Sequence, residues 1–148
     1  MSYQESRVVA YLFSILVGAG YYSYYLIQQV QLATADGNNI SSYWGRTMLI
    51  SIALTVVLTV VLTILVSIIQ AVATRDEDPM LSDERDQFIE LKADRLSFIL
   101  FGIGFMIAMT VLAFGGSPFI MFNIFIYSLF GSAIASCLTQ LFFYRRGF

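Results

Sequence analysis

Four long runs of uncharged, largely apolar residues dominate the pattern along this chain, at positions 8–30, 47–71, 97–114 and 118–143. Each run has 18 residues or more, and a helix of about 20 residues crosses a hydrocarbon core about 30 Å thick. A helix also satisfies its own backbone hydrogen bonds, as a segment surrounded by lipid must. The pattern therefore predicts an all-α polytopic membrane protein, with four transmembrane helices in a single domain.

The composition agrees with lipid as the solvent for much of this surface. Of the 148 residues, 58% are hydrophobic and 12% are charged, whereas about a quarter of the residues of a soluble domain are charged. The chain has no histidine and a single cysteine, Cys137, so it lacks the commonest general base and any cysteine pair. We therefore expect no enzymatic activity, no metal, no cofactor and no nucleic acid partner.

The basic residues are distributed unevenly among the segments that flank the four runs. Seven of the eight lie in the N-terminal segment, the second connection and the C-terminal segment, whereas Arg46 lies in the first connection. Because basic segments stay on the cytoplasmic side during insertion, we expect both termini in the cytoplasm. The Gly-Gly-Ser-Pro sequence at 115–118 predicts a tight hairpin, so the third and fourth helices should be antiparallel neighbours.

Inside the apolar runs, the remaining polar residues recur at helical spacing. One row of hydroxyl residues extends from Thr47 to Ser67 in steps of four, and a second row extends from Ser128 to Gln140. These rows could line a polar pathway, or they could be packing positions whose hydroxyls bond to the preceding turn of their own helix. The residues that could line a pathway are Tyr21, Tyr25, Thr55, Thr59, Thr63, Asn123, Ser128, Ser132 and Ser136.

No Asp, Glu, Lys or Arg lies within the four runs, and this absence restricts the function. Ion pumps, proton-coupled exporters and voltage sensors need such groups at membrane depth, so the pattern argues against all three. Tyr21 and Tyr22 lie near the middle of the first run, where an unpaired hydroxyl is costly. We expect them to face another helix or a cavity, with Asn123 as a candidate partner.

The segment 75–96 contains most of the charged residues and predicts a charged cytoplasmic helix that leads into the third run. On this helix the acidic stripe is Asp83, Asp86, Glu90 and Asp94, and the opposite, basic stripe is Arg85, Lys92 and Arg95. Like charges recur at i, i+4 with no opposite pair to offset them, so the helix needs partners elsewhere. Three kinds of partner remain open: basic residues such as Arg7 at the same membrane face, a second copy of the chain, and lipid phosphates.

The sequence at 83–95 is Asp-Glu-Arg-Asp-Gln-Phe-Ile-Glu-Leu-Lys-Ala-Asp-Arg. It resembles the D-E-R-D-x-x-I-x-x-K-A-x-R signature of a family of small predicted membrane proteins of bacteria and archaea whose function is uncharacterised. The resemblance implies a bacterial or archaeal plasma membrane as the location, and it implies no reaction. The distinctive family positions that it implies are Asp83, Arg85, Asp86, Glu90, Lys92 and Arg95.

Two functions of different classes are consistent with this sequence. The first is a non-enzymatic membrane protein that forms a homo-oligomer, or binds a cytoplasmic or membrane protein, through the charged helix at 83–95. The second is a transporter or channel for a neutral or weakly polar solute, lined by the polar rows. Four helices enclose little space, so the second function would need an oligomer or an open groove.

Overall fold

A computed structural model describes residues 3–36, 40–73 and 84–146, which form four α-helices. These are α1 (Tyr3–Asp36), α2 (Ile40–Ala73), α3 (Glu84–Ala113) and α4 (Pro118–Arg146). Each of the four is long and apolar enough to cross a membrane. The predicted fold class, an all-α arrangement of four such helices, is therefore confirmed.

The helices extend beyond the apolar runs, and the difference is largest in α3. This helix begins at Glu84 and continues without a break into the third run, so the charged segment and the apolar segment form one helix of 30 residues. Its first three turns contain Glu, Arg, Gln, Leu, Lys and Ala, which are good helix formers, and contain neither glycine nor proline. The charged residues of α3 are therefore held at fixed angles relative to the apolar part.

The predicted hairpin between α3 and α4 is confirmed, and its hydrogen bonds show why the chain turns there. Gly115 has a φ of +80°, a conformation that glycine adopts without strain. The N–H of Gly116 donates to the carbonyl of Val111 at 2.9 Å, and the N–H of Gly115 donates to that of Leu112 at 3.1 Å. This pattern closes a helix C-terminus. Ser117 then accepts the N–H of Ile120 on its hydroxyl at 3.3 Å and caps α4.

The helices pack in the spatial order α2, α1, α4, α3, so each inner helix has two neighbours. Over the described residues, α2 packs only against α1, α3 packs only against α4, and a gap separates α2 from α3. The buried core lies mainly between α1 and α4. Its members are Val8, Ile15, Tyr22, Ile126, Phe130 and Cys137.

Small residues bring the paired helices close together, as the packing interpretation of the polar rows predicts. Gly18 lies against Thr55 across the α1–α2 contact, and Gly104 lies against Ser128 across the α3–α4 contact. The hydroxyls of Thr55 and Ser128 donate to carbonyls of the preceding turn of their own helices, at 2.8 and 2.6 Å. Their polar groups are therefore satisfied locally, and packing accounts for these members of the rows.

Candidate functional site

One end of the molecule holds the start of α1, the end of α2, the start of α3 and the end of α4, and we call it the charged end. A cavity of about 390 Å³ opens there, with walls from all four helices. Its polar lining consists of Gln4, Arg7, Tyr11, Thr59, Thr63, Asp86, Glu90, Asp94, Ser97, Ser136, Gln140 and Tyr144. The cavity occupies the gap between α2 and α3, and α1 and α4 form its floor.

The acidic wall of the cavity comes from α3. Asp86, Glu90 and Asp94 are four residues apart and all line the cavity, because four residues advance a helix by slightly more than one turn. They are the described members of the predicted acidic stripe, since Asp83 lies outside the described residues. The stripe therefore lines an open cavity of the same molecule, where Glu90 and Asp94 remain exposed.

Asp94 is the carboxylate of the three that lies furthest along α3 from its start; its side chain is exposed and bonded to α4. The hydroxyl of Ser136 donates to Oδ1 of Asp94 at 3.3 Å, and Nε2 of Gln140 donates to the hydroxyl of Ser136 at 3.5 Å. Ser136 is buried, with 5% of its surface exposed. A three-membered polar chain thus connects the acidic wall to the floor.

Asp94 lies outside the run at 97–114 in the sequence, but its hydrogen-bond partner Ser136 lies inside the apolar run of α4. Ser136 lies seven residues inside the end of the run at 118–143, about 10 Å along the helix axis. Its bond to Asp94 places this carboxylate beside the apolar run of α4. The packing of α3 against α4 brings these two residues together, and the sequence of α3 alone does not show it.

Among the described residues that line the cavity, Arg7 is the only basic one. It belongs to α1 and lies one helical turn from Tyr11, which lines the same wall. Arg7 was among the partners expected for the acidic stripe, and the structure brings both to one cavity. Three carboxylates face one guanidinium there, so the cavity can bind hydrogen-bond donors and positive charge.

Among the residues expected to line a pathway, Thr59, Thr63 and Ser136 line this cavity. Tyr21 and Tyr25 stack on each other, with ring centroids 4.5 Å apart. Neither tyrosine is among the lining residues of the cavity at the charged end, and the same is true of Thr55 and Ser132. The hydroxyl of Ser132 donates instead to the carbonyl of Leu129 at 2.9 Å.

A second, open groove of about 760 Å³ lies toward the opposite end of the molecule, between α1 and α4. Asn123 and Ser128 line it, together with Tyr127 and several apolar side chains. Tyr22 lies beside it, fully buried, and its hydroxyl donates to Oδ1 of Asn123 at 3.0 Å. The expectation that Tyr22 bonds to another helix, with Asn123 as its partner, is therefore confirmed.

The basic stripe of α3 lies on the other flank of the helix from the cavity. The ammonium of Lys92 is 4.4 Å from the centre of the Phe88 ring and 5.5 Å from that of Phe143 on α4. Arg95 is exposed, and the side chain of Arg85 lies outside what the structure describes. The segregation of charge seen in the sequence therefore separates an inner, acidic face of α3 from an outer, basic face.

Sequence reasoning missed several lining residues, including Gln4, Tyr11, Ser97 and Tyr144. All four lie near an end of an apolar run, where polar residues are ordinarily assigned to the membrane interface. The sequence of α1 could have indicated Tyr11 as a lining residue, because Arg7 and Tyr11 share a helical face. No sequence pattern indicates that Ser97 and Tyr144 line the same cavity, because they belong to different helices.

Across the described ranges, no group of three or more Asp, Glu, Cys or His side chains is arranged to hold a metal ion. The resemblance based on residues 83–95 remains a prediction from the sequence. No protein-family profile, no curated protein and no solved structure matches this chain.

Proposed function

We propose that this integral membrane protein binds a small, positively charged polar solute in the cavity at the charged end, as a non-enzymatic carrier. The observation that supports the proposal is the cavity itself, about 390 Å³ in volume and lined by polar groups from four helices. A volume of this size is typical of small-molecule sites. The proposal places the protein in the transporter class, but with a cationic solute instead of a neutral one.

The charge of the lining supports a cationic ligand. Asp86, Glu90 and Asp94 form a ladder along one wall, with a rise of about 6 Å between successive members. Arg7 can offset one of them, which leaves an acidic excess among the described lining residues. An ammonium or guanidinium group carries positive charge and donates hydrogen bonds to carboxylates, so it is the natural partner for this wall.

The shared lining of the cavity supports solute binding. Asp86, Glu90 and Asp94 line one cavity together with polar groups of the other three helices, so a small solute could contact several of them at once. The cavity also reaches Thr59, at the middle of the run at 47–71. Carriers commonly bind their substrates near this depth, between helices that can move apart.

Thermal unfolding of the purified full-length chain in detergent tests the proposal. Small amines such as choline, ethanolamine and guanidinium are compared with uncharged analogues of similar size. We expect at least one cation to raise the midpoint of unfolding in a saturable way, because a ligand that binds only the folded state stabilises it. Neutral analogues at the same concentration should have a smaller effect.

Matched carboxamide variants locate the site. Glu90→Gln should abolish the stabilisation by the amine, because it removes the middle carboxylate of the ladder. Glu5→Gln makes the same chemical change on α1 at a residue that is not among those lining the cavity, and it should retain the stabilisation. Equal responses of the two variants, or equal effects of cations and neutral analogues, would contradict the proposal.

The orientation that accompanies this proposal places the charged end in the cytoplasm. The support is the distribution of basic residues, seven of eight of which belong to segments at that end. The solute would therefore enter the cavity from the cytoplasm. The core at Tyr22 and Phe130 closes the other side of the α1–α4 contact, so release to the opposite side requires these helices to rearrange.

Self-association is a second candidate, and the gap between α2 and α3 favours it. Polar groups such as Thr59 and Asp94 line this gap at the level of apolar runs, where contact with lipid tails is unfavourable. A second copy of the chain could cover the opening. The mass of the protein in mild detergent, measured by native mass spectrometry, should then be a multiple of 16.6 kDa, and a strictly monomeric mass would contradict it.

A further inference from the structure

We propose that the outer face of α3 and the end of α4 bind the headgroup of an anionic phospholipid. We call this surface the basic–aromatic face, and it comprises Phe88, Lys92, Phe142, Phe143 and Arg146. The proposal is independent of the cavity, which lies on the other flank of α3. Its basis is a set of cations that are held in place by aromatic rings and lie next to an apolar, exposed surface.

The aromatic rings hold two cations in one continuous row. Lys92 lies over Phe88 and Phe143, at 4.4 and 5.5 Å from the ring centres. Arg146 lies over Phe142 at 5.1 Å, and the rings of Phe142 and Phe143 are 5.9 Å apart. Cation–π contacts orient a cation without neutralising its charge. Both groups therefore remain able to bind an anion.

Lys92 has no carboxylate partner among the side chains that the structure describes. The acidic residues of α3 whose side chains the structure describes, Asp86, Glu90 and Asp94, line the cavity instead. Within the described part of the chain, neither Lys92 nor Arg146 forms an ion pair, and each lies over an aromatic ring. A negative group from outside the protein would complete this surface.

The level of the face along the helices points to lipid as the source of that negative group. Phe143 ends the last apolar run, and Arg145 and Arg146 lie in the final turn of α4. Below them, Phe98 and Ile99 of α3 are exposed, as expected for contact with acyl chains. The cations thus lie where apolar surface gives way to charge, which is the level of phosphate groups in a bilayer.

The helix dipole accounts for only part of this face. Basic residues in the last turn of a helix interact favourably with its dipole, which explains Arg145 and Arg146. It does not explain Lys92, which lies in the first half of α3 and reaches across to Phe143. The contact between the two helices indicates a composite site for one headgroup rather than two separate end effects.

Binding of defined lipids to the purified full-length protein in detergent tests the proposal. Native mass spectrometry counts the retained lipids as phosphatidylglycerol or phosphatidylcholine is added, with inorganic phosphate in a separate series. We expect phosphatidylglycerol to bind more tightly than phosphatidylcholine. Equal affinity for the two lipids would overturn the proposal, and so would displacement of phosphatidylglycerol by millimolar phosphate, because the site would then recognise a free anion.

Charge variants distinguish binding at this face from nonspecific attraction between basic residues and an anionic lipid. Lys92→Gln and Arg146→Gln should each weaken binding of phosphatidylglycerol about fivefold, from about 1 kcal/mol per basic residue near a lipid surface. Arg46→Gln at the opposite end is the matched control and should bind as the unmodified chain does. Lys92→Arg, which keeps the cation, should retain binding even if Lys92→Gln folds poorly. Loss of binding in the Lys92→Arg variant, or equal losses in the Arg46→Gln variant, would refute the assignment.

Discussion

At the scale of single residues, two glycines of α3 that are two positions apart have different surroundings. A Cβ added at Gly104 would collide with the side chain of Ser128 on α4, whereas nothing lies within 4 Å of a Cβ added at Gly102. We therefore expect Gly104→Ala to lower the free energy of unfolding by about 1–3 kcal/mol, the usual cost of overpacking. Unfolding in mixed detergent, followed by circular dichroism, measures the change.

The matched control is Gly102→Ala on the same helix. It should leave the stability unchanged or raise it by up to about 1 kcal/mol, because alanine favours a helix more than glycine does. If both variants change the free energy of unfolding by the same amount, α3 and α4 do not approach closely at Ser128. The α1–α2 contact offers the same comparison with Gly18, which lies against Thr55, and Gly20, which has open space.

At the scale of elements, the two polar rows should differ in their access to water. Thr59 on α2 lines the cavity, whereas Ser132 on α4 is buried, with 6% of its surface exposed. In a Cys137→Ala background, we expect a charged thiol reagent to modify Thr59→Cys in reconstituted vesicles when it is supplied on both sides. Ser132→Cys should stay unmodified over the same period, because the reagent has little access to a side chain that is buried at this position.

This comparison distinguishes a hydrated cavity from plain packing. Labelling can be followed by the mass of the intact protein, and labelling after unfolding shows that both thiols are present. Absence of reaction at position 59 would indicate that the gap between α2 and α3 is closed in the membrane. Reaction at both positions would mean that water also enters the α3–α4 contact.

At the scale of the whole molecule, the four helices alternate in direction, so that α1 begins and α4 ends at the charged end. A reporter that is active only in the cytoplasm should therefore be active when fused after Phe148. The same reporter inserted at Gly37 should be inactive, because that connection lies at the opposite end. Inactivity of the C-terminal fusion with activity at Gly37 would reverse the proposed orientation. Inactivity of both fusions would mean that one of the four helices does not cross the membrane.

The local features of the fold could be predicted from the sequence because they depend on neighbouring residues. The apolar runs gave the four helices, and the sequence at 115–118 gave the hairpin. The spacing of Asp86, Glu90 and Asp94 gave one acidic stripe. The pairing of Tyr22 with Asn123 could also be anticipated, since a buried hydroxyl at that depth requires a partner.

What the sequence determined by itself is therefore a set of membrane-spanning helices and a division of charge around α3. Only the tertiary structure decided what the acidic side and the basic side of α3 each face. The order α2, α1, α4, α3 leaves a gap beside the acidic side of α3. The bond between Asp94 and Ser136 sets the level of this carboxylate relative to α4. These features arise from packing between residues far apart in the chain, and helical periodicity contains no information about the partner or the level of each helix.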